Sequence, residues 1–184
     1  MSYRVGVIGC TGIGTQHASG LVGLTDAKLV AGCDLSSSVL ERFQEHWAEE
    51  WPDVATYTDH RQMLAEARLD IVTVATSDHK HADLVVDAAQ AGAKGIFCEK
   101  PIATSIADAD RMLSATDANG TILSIDHTRR WQPLWVETKQ QVEDGVIGKV
   151  QNIIGTLNGG RAMLFRNGTH LIDAICYFSK GNPD

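Results

Sequence analysis

No two of the chain's four cysteines, Cys10, Cys33, Cys98 and Cys176, form a C-x-x-C pair. That spacing excludes the common zinc and redox motifs and gives no sign of a metal site. It suits a reduced chain in the cytoplasm. Three of the four fall in apolar runs and read as small core residues. Positive charge is also scarce. Sixteen Lys and Arg stand against 23 Asp and Glu, for a formal net charge of −7. Nucleic acid and anionic membrane surfaces would repel such a chain, so neither is expected as a partner. No apolar run is long enough to span a membrane. The first run, Val5–Ile8, is too short for a secretory leader and leads straight into a glycine loop. There is no internal repeat and no low-complexity tract. What remains, 43% hydrophobic and 21% charged over 184 residues, suits one full domain and part of another.

Strand and helix patterns alternate along most of the chain. Strands are expected at Tyr3–Ile8, Ala27–Cys33, Val54–Tyr57, Ile71–Ala75, Gly95–Cys98 and Thr121–Ile125. Helices are expected at Gly12–Leu24, Ser36–Glu50, a short stretch capped by Asp59, His79–Ala91 and Ser105–Ala118. Short apolar strands alternating with helices imply an α/β fold, a doubly wound parallel sheet covered on both faces. This first domain spans residues 1–126. In residues 127–184 the rhythm changes. A helix is expected at Pro133–Asp144, a strand at Val150–Leu157, a turn at Asn158-Gly159-Gly160 and an apolar helix at Thr169–Phe178. One strand and two helices close a core poorly, so this part reads as the start of a second α/β domain, incomplete here. An uncovered strand edge and the apolar surface of Leu171, Ile172, Ile175 and Phe178 point to a homo-oligomer in contact after Gly148. The other reading folds both elements back on the first domain.

The first strand enters Gly9-Cys10-Thr11-Gly12-Ile13-Gly14. A dinucleotide fingerprint wants glycine at the first, third and sixth places, and here Thr11 takes the third. Gly9 allows the tight turn, Gly14 allows the helix to pack close to the strand, and Gly12 can relieve the loop by shifting it. The helix that starts here would direct free N–H groups at a pyrophosphate. Asp34 ends the second strand 20 residues after Gly14, where an acidic residue takes the ribose hydroxyls. A carboxylate there repels a ribose phosphate, so NAD is expected ahead of NADP. Asp34 could instead cap the helix that follows.

The run from Ala91 through Glu99-Lys100-Pro101 resembles the Gfo/Idh/MocA family of sugar and polyol oxidoreductases. Val5–His17, Val72–Ala82, Asp126–Pro133 and Asn167–Asp173 carry the same likeness. The resemblance implies a Rossmann domain followed by a substrate domain built on an open sheet. It implies a catalytic role for Lys100, at the carboxyl edge of the fifth strand. Glu99 would pair with or orient its neighbours. Thr76 would lie in the loop beside the nicotinamide, with Ser77 and Asp78 where the family commonly has proline and asparagine. His81 keeps its family place, at the cofactor loop, and reads as a structural residue opening a helix. Arg129, Arg130 and Trp131 would lie near the cofactor, or else form a solvated linker. His170 matches the family's catalytic histidine, but Arg166 stands where an aspartate is usual. Asn167 is adjacent, and Asp173 follows one turn after His170.

The resemblance implies an NAD-dependent dehydrogenase acting on a small sugar, cyclitol or related polyol. Lys100 and His170 would handle the proton, and Gly9, Thr11, Gly12, Ile13, Gly14, Asp34, Thr76, His81, Glu99, Lys100 and Arg129 would hold the cofactor. Arg166 and the early end of the chain favour a second expectation, a truncated or regulatory dinucleotide binder without turnover.

Overall fold

The computed structural model describes residues 2–158 and 167–179. The chain divides into two compact units, Met1–Ile125 and Asp126–Asp184. The first alternates β1 (Tyr3–Ile8), α1 (Ile13–Ser19), β2 (Ala27–Cys33), α2 (Ser37–Trp47), β3 (Ala55–Tyr57) and α3 (His60–Glu66). It continues with β4 (Ile71–Val74), α4 (His81–Gln90), β5 (Gly95–Glu99), α5 (Ile106–Asn119) and β6 (Ile122–Asp126). The strands form one parallel sheet in the order β3-β2-β1-β4-β5-β6. The order reverses between β1 and β4, and open α/β sheets bind ligands at the carboxyl ends of the strands beside such a switch.

Both faces of the sheet are buried, which explains why the strands read as apolar runs and not as alternating ones. Val7 and Ile8 are neighbours in β1 and point to opposite cores. Val7 joins Leu29, Leu40, Phe43 and Trp47 on the side of α1 and α2. Ile8 joins Val72, Val74, Val85, Ile96 and Met112 on the side of α3, α4 and α5. Cys10, Cys33 and Cys98 are buried. Burial pushes the Cys33 and Cys98 thiols up to about 12 and raises that of Cys10 as well, so all three are inert core thiols.

Local signals set the helix ends. The Asp59 carboxylate accepts from the Arg61 N–H at 2.8 Å, and the Ser105 hydroxyl accepts from the Asp108 N–H at 3.1 Å. Gly120 ends α5 in the left-handed conformation. One helix departs from expectation. α1 stops at Ser19, not at Leu24. Gly23 has φ +80°, which no right-handed helix accommodates, and the chain turns through Gly20–Gly23 instead.

The second unit holds a 3₁₀ turn (Thr128–Trp131), α6 (Pro133–Glu143) and α7 (Gly168–Ser179). Pro133 opens α6, where its missing N–H costs nothing. The expected strand Val150–Leu157 is not formed. A strand exists only by exchanging hydrogen bonds with a neighbour, and none of the described residues offers this segment a ladder. It packs through side chains instead. A Cβ on Gly155 would meet Leu171 Cγ at 3.0 Å and Ile175 Cδ1 at 3.1 Å. The strand-edge argument for association therefore falls. Gly159, Gly160 and Arg166 lie outside the described residues.

At the amino ends of the strands one carboxylate joins three of them. Asp70 accepts the Arg4 N–H at 2.9 Å and pairs with Lys94 Nζ at 2.8 Å, while its carbonyl takes the N–H groups of Lys94 and Gly95. The hydrogen bonds from Lys94 and Arg4 hold its carboxyl below the ordinary carboxylate value, near ~3.9 in the unfolded chain. A lowered folded pKa gives stability that is full above that value and is lost as acid protonates the folded carboxyl. Asp70→Asn is therefore expected to lower Tm by a few degrees at neutral pH and to flatten the acid limb of stability. Thermal unfolding monitored from pH 7 down to pH ~2 checks this. An unchanged acid limb would remove Asp70 from the account.

Candidate functional site

The turn from β1 into α1 is compressed until only glycine fits at two places. A Cβ on Gly9, at φ +92°, would strike the Ala75 carbonyl oxygen, and one on Gly14 would strike the Gly9 carbonyl oxygen. Gly12 also takes a positive φ, +48°, and faces open space. The side chain of Thr11 is exposed. The departure at the fingerprint's middle place is thus absorbed one residue later. Ile13 begins α1 and is also exposed. No side chain caps α1, and although the Thr11 carbonyl takes the Gly14 N–H at 2.9 Å, a first turn without a side-chain cap suits an anion.

Asp34 follows β2 and does two local jobs. Its Oδ2 accepts the Cys10 N–H at 3.1 Å and its Oδ1 accepts the Ser36 N–H at 3.0 Å. The helix N-cap is Ser36 and not Asp34. The carboxylate therefore holds the glycine loop and the β2–α2 turn together. Four acceptor sites on a carboxylate leave capacity for ribose hydroxyls.

Across the switch point, Thr76 lies against Gly9, whose Cβ would come within 3.2 Å of Thr76 Cγ2. The Thr76 hydroxyl is buried and has no hydrogen-bond partner among the described residues. A buried hydroxyl without a partner is costly unless something fills the place. A dinucleotide oxygen in the glycine loop's mouth is a fitting partner, and together with the uncapped helix it makes these residues suitable for that ligand.

Glu99 ends β5, and Lys100 follows it, half-buried, joined to Pro101 by a cis peptide bond. Glu99 Oε1 lies 3.5 Å from His17 Nε2, and the His17 ring tilts over Phe97 with centroids 5.0 Å apart. His81 opens α4 and is 1% exposed. Its Nδ1 lies 2.8 Å from the Pro101 carbonyl oxygen and its Nε2 3.3 Å from that of Thr76. The first unit therefore brings Gly9, Thr11, Gly12, Ile13, Gly14, Asp34, Thr76, His81, Glu99 and Lys100 to the carboxyl edge of one sheet. His17 was missed from sequence. Its available signal was its place on the helix face of Gly14 and Ala18, both buried.

The second unit holds the other two expected residues. His170 lies in the first turn of α7, with His127 edge-on at 6.4 Å between centroids. Arg129 stacks on Trp135 at 5.2 Å and donates a long bond, 3.5 Å, to the His170 carbonyl. Arg130 grips Asp173 with Nε and Nη2, at 2.7–3.0 Å, and covers the Tyr177 ring at 5.2 Å. The basic pair is therefore pinned to its own unit, with Arg130 and Trp131 still exposed.

A cleft of about 530 Å³ opens elsewhere, between α2, β3 and α3, lined by Ser37, Gln44, Tyr57 and Gln62. It shares no residue with the glycine loop or the Lys100 turn.

This constellation defines a dinucleotide-binding α/β class. The family model of the Gfo/Idh/MocA oxidoreductases, described as an oxidoreductase family with an NAD-binding Rossmann fold, matches residues 3–127, and the chain belongs to that family. It is 36% identical over 146 residues to a myo-inositol 2-dehydrogenase of Thermotoga maritima, covering 79% of this chain and 42% of that protein. It is 34% identical over 146 residues to a D-apiose dehydrogenase of Paraburkholderia graminis, covering 79% of this chain and 38% of that protein. Among solved structures, the myo-inositol 2-dehydrogenase of Lactobacillus plantarum superposes with a TM-score of 0.85 at 26% identity, over 100% of this chain and 58% of that one. The chain thus spans about half the length of the relatives it matches.

Because a Cβ on Gly14 would collide with backbone, Gly14→Ala is expected to shift the whole β1–α1 turn. Such overlap costs of order 1–3 kcal/mol and displaces the loop amides. Chemical denaturation and NADH fluorescence titration check this. A variant with unchanged stability and unchanged NADH affinity would show that the turn is not as tight as described.

Proposed function

We propose that this chain carries the dinucleotide-binding part of an NAD-dependent oxidoreductase that moves hydride between nicotinamide and a hydroxyl-bearing carbon of a sugar, cyclitol or related polyol. The observation that carries the reading is the placement of Lys100. It directly follows β5 at the ligand edge of the sheet, on the same edge as the glycine loop, Asp34 and Thr76. The names of the relatives, inositol and apiose dehydrogenases, support the substrate class. On this reading residues 1–126 bind the dinucleotide, and residues 127–184 begin a substrate and oligomerisation domain.

Gly9, Gly12 and Gly14 let the backbone approach the pyrophosphate, and the first turn of α1 meets its charge. Asp34 accepts from the ribose hydroxyls and repels a ribose phosphate, which favours NAD over NADP. The Thr76 hydroxyl donates to the ligand beside Gly9. Bound nicotinamide supplies the redox chemistry. Lys100 Nζ takes the hydroxyl proton when the alcohol is oxidised and returns it in the reverse direction. His170 assists as the second proton-handling group, and Arg129 steadies its backbone. The second reading, a dinucleotide binder without turnover, is favoured by Arg166 at the family's aspartate place.

No helix among the described residues is long and apolar enough to cross a membrane. A reducing cytoplasm suits the four free cysteines. Association into a homo-oligomer through the second unit keeps one support, the exposed apolar side chains of Ile147, Ile154 and Ile172.

Asp34→Ala is expected to weaken NAD(H) binding about tenfold or more, as loss of hydrogen bonds to a charged group does, and to narrow the gap to NADP(H). Calorimetric titration of both cofactors reads it. Equal or tighter NADP(H) binding by the parent would sink the NAD preference.

Lys100→Ala is expected to lower turnover about 10²–10⁴-fold on a polyol substrate while leaving NADH affinity nearly unchanged. Steady-state rates against a panel of cyclitols and sugars test this. Dinucleotide binding with no turnover by the parent would favour the second reading.

A further inference from the structure

Lys100 stands between two residues that buried histidines face, Glu99 and Pro101. On its amino side, His17 Nε2 lies 3.5 Å from the Glu99 carboxylate, and these side chains are only 6% and 14% exposed. On its carboxyl side, His81 Nδ1 lies 2.8 Å from the Pro101 carbonyl oxygen. Both histidines lead back to the glycine loop. His17 sits on α1, the helix that the loop opens. The other nitrogen of His81 faces the Thr76 carbonyl at 3.3 Å, and Thr76 packs on Gly9.

Chemistry fixes what the His81 ring does. Both of its contacts are carbonyl oxygens, which only accept. A neutral ring has one N–H, and the shorter contact takes it, so Nδ1–H donates to Pro101. The Thr76 contact becomes a second hydrogen bond only in the doubly protonated ring. A ring 1% exposed holds the Pro101 carbonyl, which cannot turn away without leaving a buried N–H unpaired, while its other edge stands 3.3 Å from the Thr76 carbonyl.

We propose that His17 and His81 are positioning residues that brace the Lys100 turn from both sides against the glycine loop. The brace couples the placement of the Lys100 ammonium to the seating of the dinucleotide. The inference deepens the reading of Lys100 as the proton-handling group and rests on it.

Competitive acetylation of the intact chain with acetic anhydride, at fixed pH and with or without saturating NADH, tests the brace. Mass spectrometry reads the labelling of Lys100, with Lys94 and Lys139 as internal references. In His81→Phe, which keeps a ring but loses the donor, Lys100 labelling without NADH is expected to rise about fivefold, the effect of one lost hydrogen bond, and NADH protection to fall in step. His81→Asn, whose amide can donate to the Pro101 carbonyl, is expected to return labelling to within about twofold of the parent. His17→Phe keeps the stack on Phe97, releases Glu99 and is expected to move Lys100 in the same direction. If His81→Phe does not fold, His17→Phe and His81→Asn decide the matter.

Unchanged Lys100 labelling in the folded variants would overturn the brace. So would an Asn variant no better than Phe, because the histidine would then serve only by its volume. A parent that fails to bind NADH would defeat the cofactor reading, while the labelling without NADH would still decide the brace.

Discussion

Between β1 and α1 the chain has no room for a Cβ at Gly9 or at Gly14, and this tightness determines what lies around it. Gly9 presses on the carbonyl of Ala75, so the exit of β1 is locked against the exit of β4. Gly14 presses on the carbonyl of Gly9, so the first helix starts directly beneath the sheet's edge. The Ala75 N–H completes the lock by donating to the Ile8 carbonyl at 2.8 Å. β1 and β4 are the two strands between which the sheet order reverses. The crevice that open α/β sheets reserve for ligands is therefore walled by backbone, and the side chains around it inherit a fixed frame.

Much of the first unit was legible because its signals are local. Apolar runs of four to six residues marked β1, β4 and β5; β1 and β4 are buried on both faces, and β5 buries Ile96 and Cys98. Ser105 and Asp59 announced helix starts by their type and place, and both accept the expected backbone N–H. The glycine fingerprint was legible even with Thr11 in its middle. Gly12 was legible as the place that relieves the loop, and only the backbone angle by which it does so, φ +48°, was not.

What stayed hidden depends on meetings across long separations. Arg4 and Asp70 are 66 positions apart, and His60 and Asp87 are 27 apart with Nε2 and Oδ2 at 2.8 Å. Arg129 and Arg130 read as a basic pair of open purpose; Arg129 stacks on Trp135 of α6, and only the return of α7 brings Asp173 and Tyr177 to Arg130. The segment Val150–Leu157 misled in the opposite way. Its β-branched pattern satisfied the local criterion for a strand, but strand formation is a property of pairs. A helix carries its hydrogen-bond partners in its own sequence, whereas a strand borrows them. Sequence reading accordingly held for α6 and α7 and failed between them.

Asp34 shows how one residue resists a single label. From sequence it was either a ribose acceptor or a helix cap, and the geometry makes it the clasp between two turns. Each carboxylate oxygen already takes one backbone N–H, from Cys10 and from Ser36. Swinging the carboxylate aside would free both N–H groups, one of them in the glycine loop. A buried or half-buried amide left without a partner costs of order 1–3 kcal/mol. If Asp34 takes the ribose hydroxyls as proposed, a preference for NAD would not rest on charge repulsion at the ribose alone. The glycine loop and the Asp34 carboxylate are joined by the Cys10 hydrogen bond, so a change at position 34 is also a change in the loop.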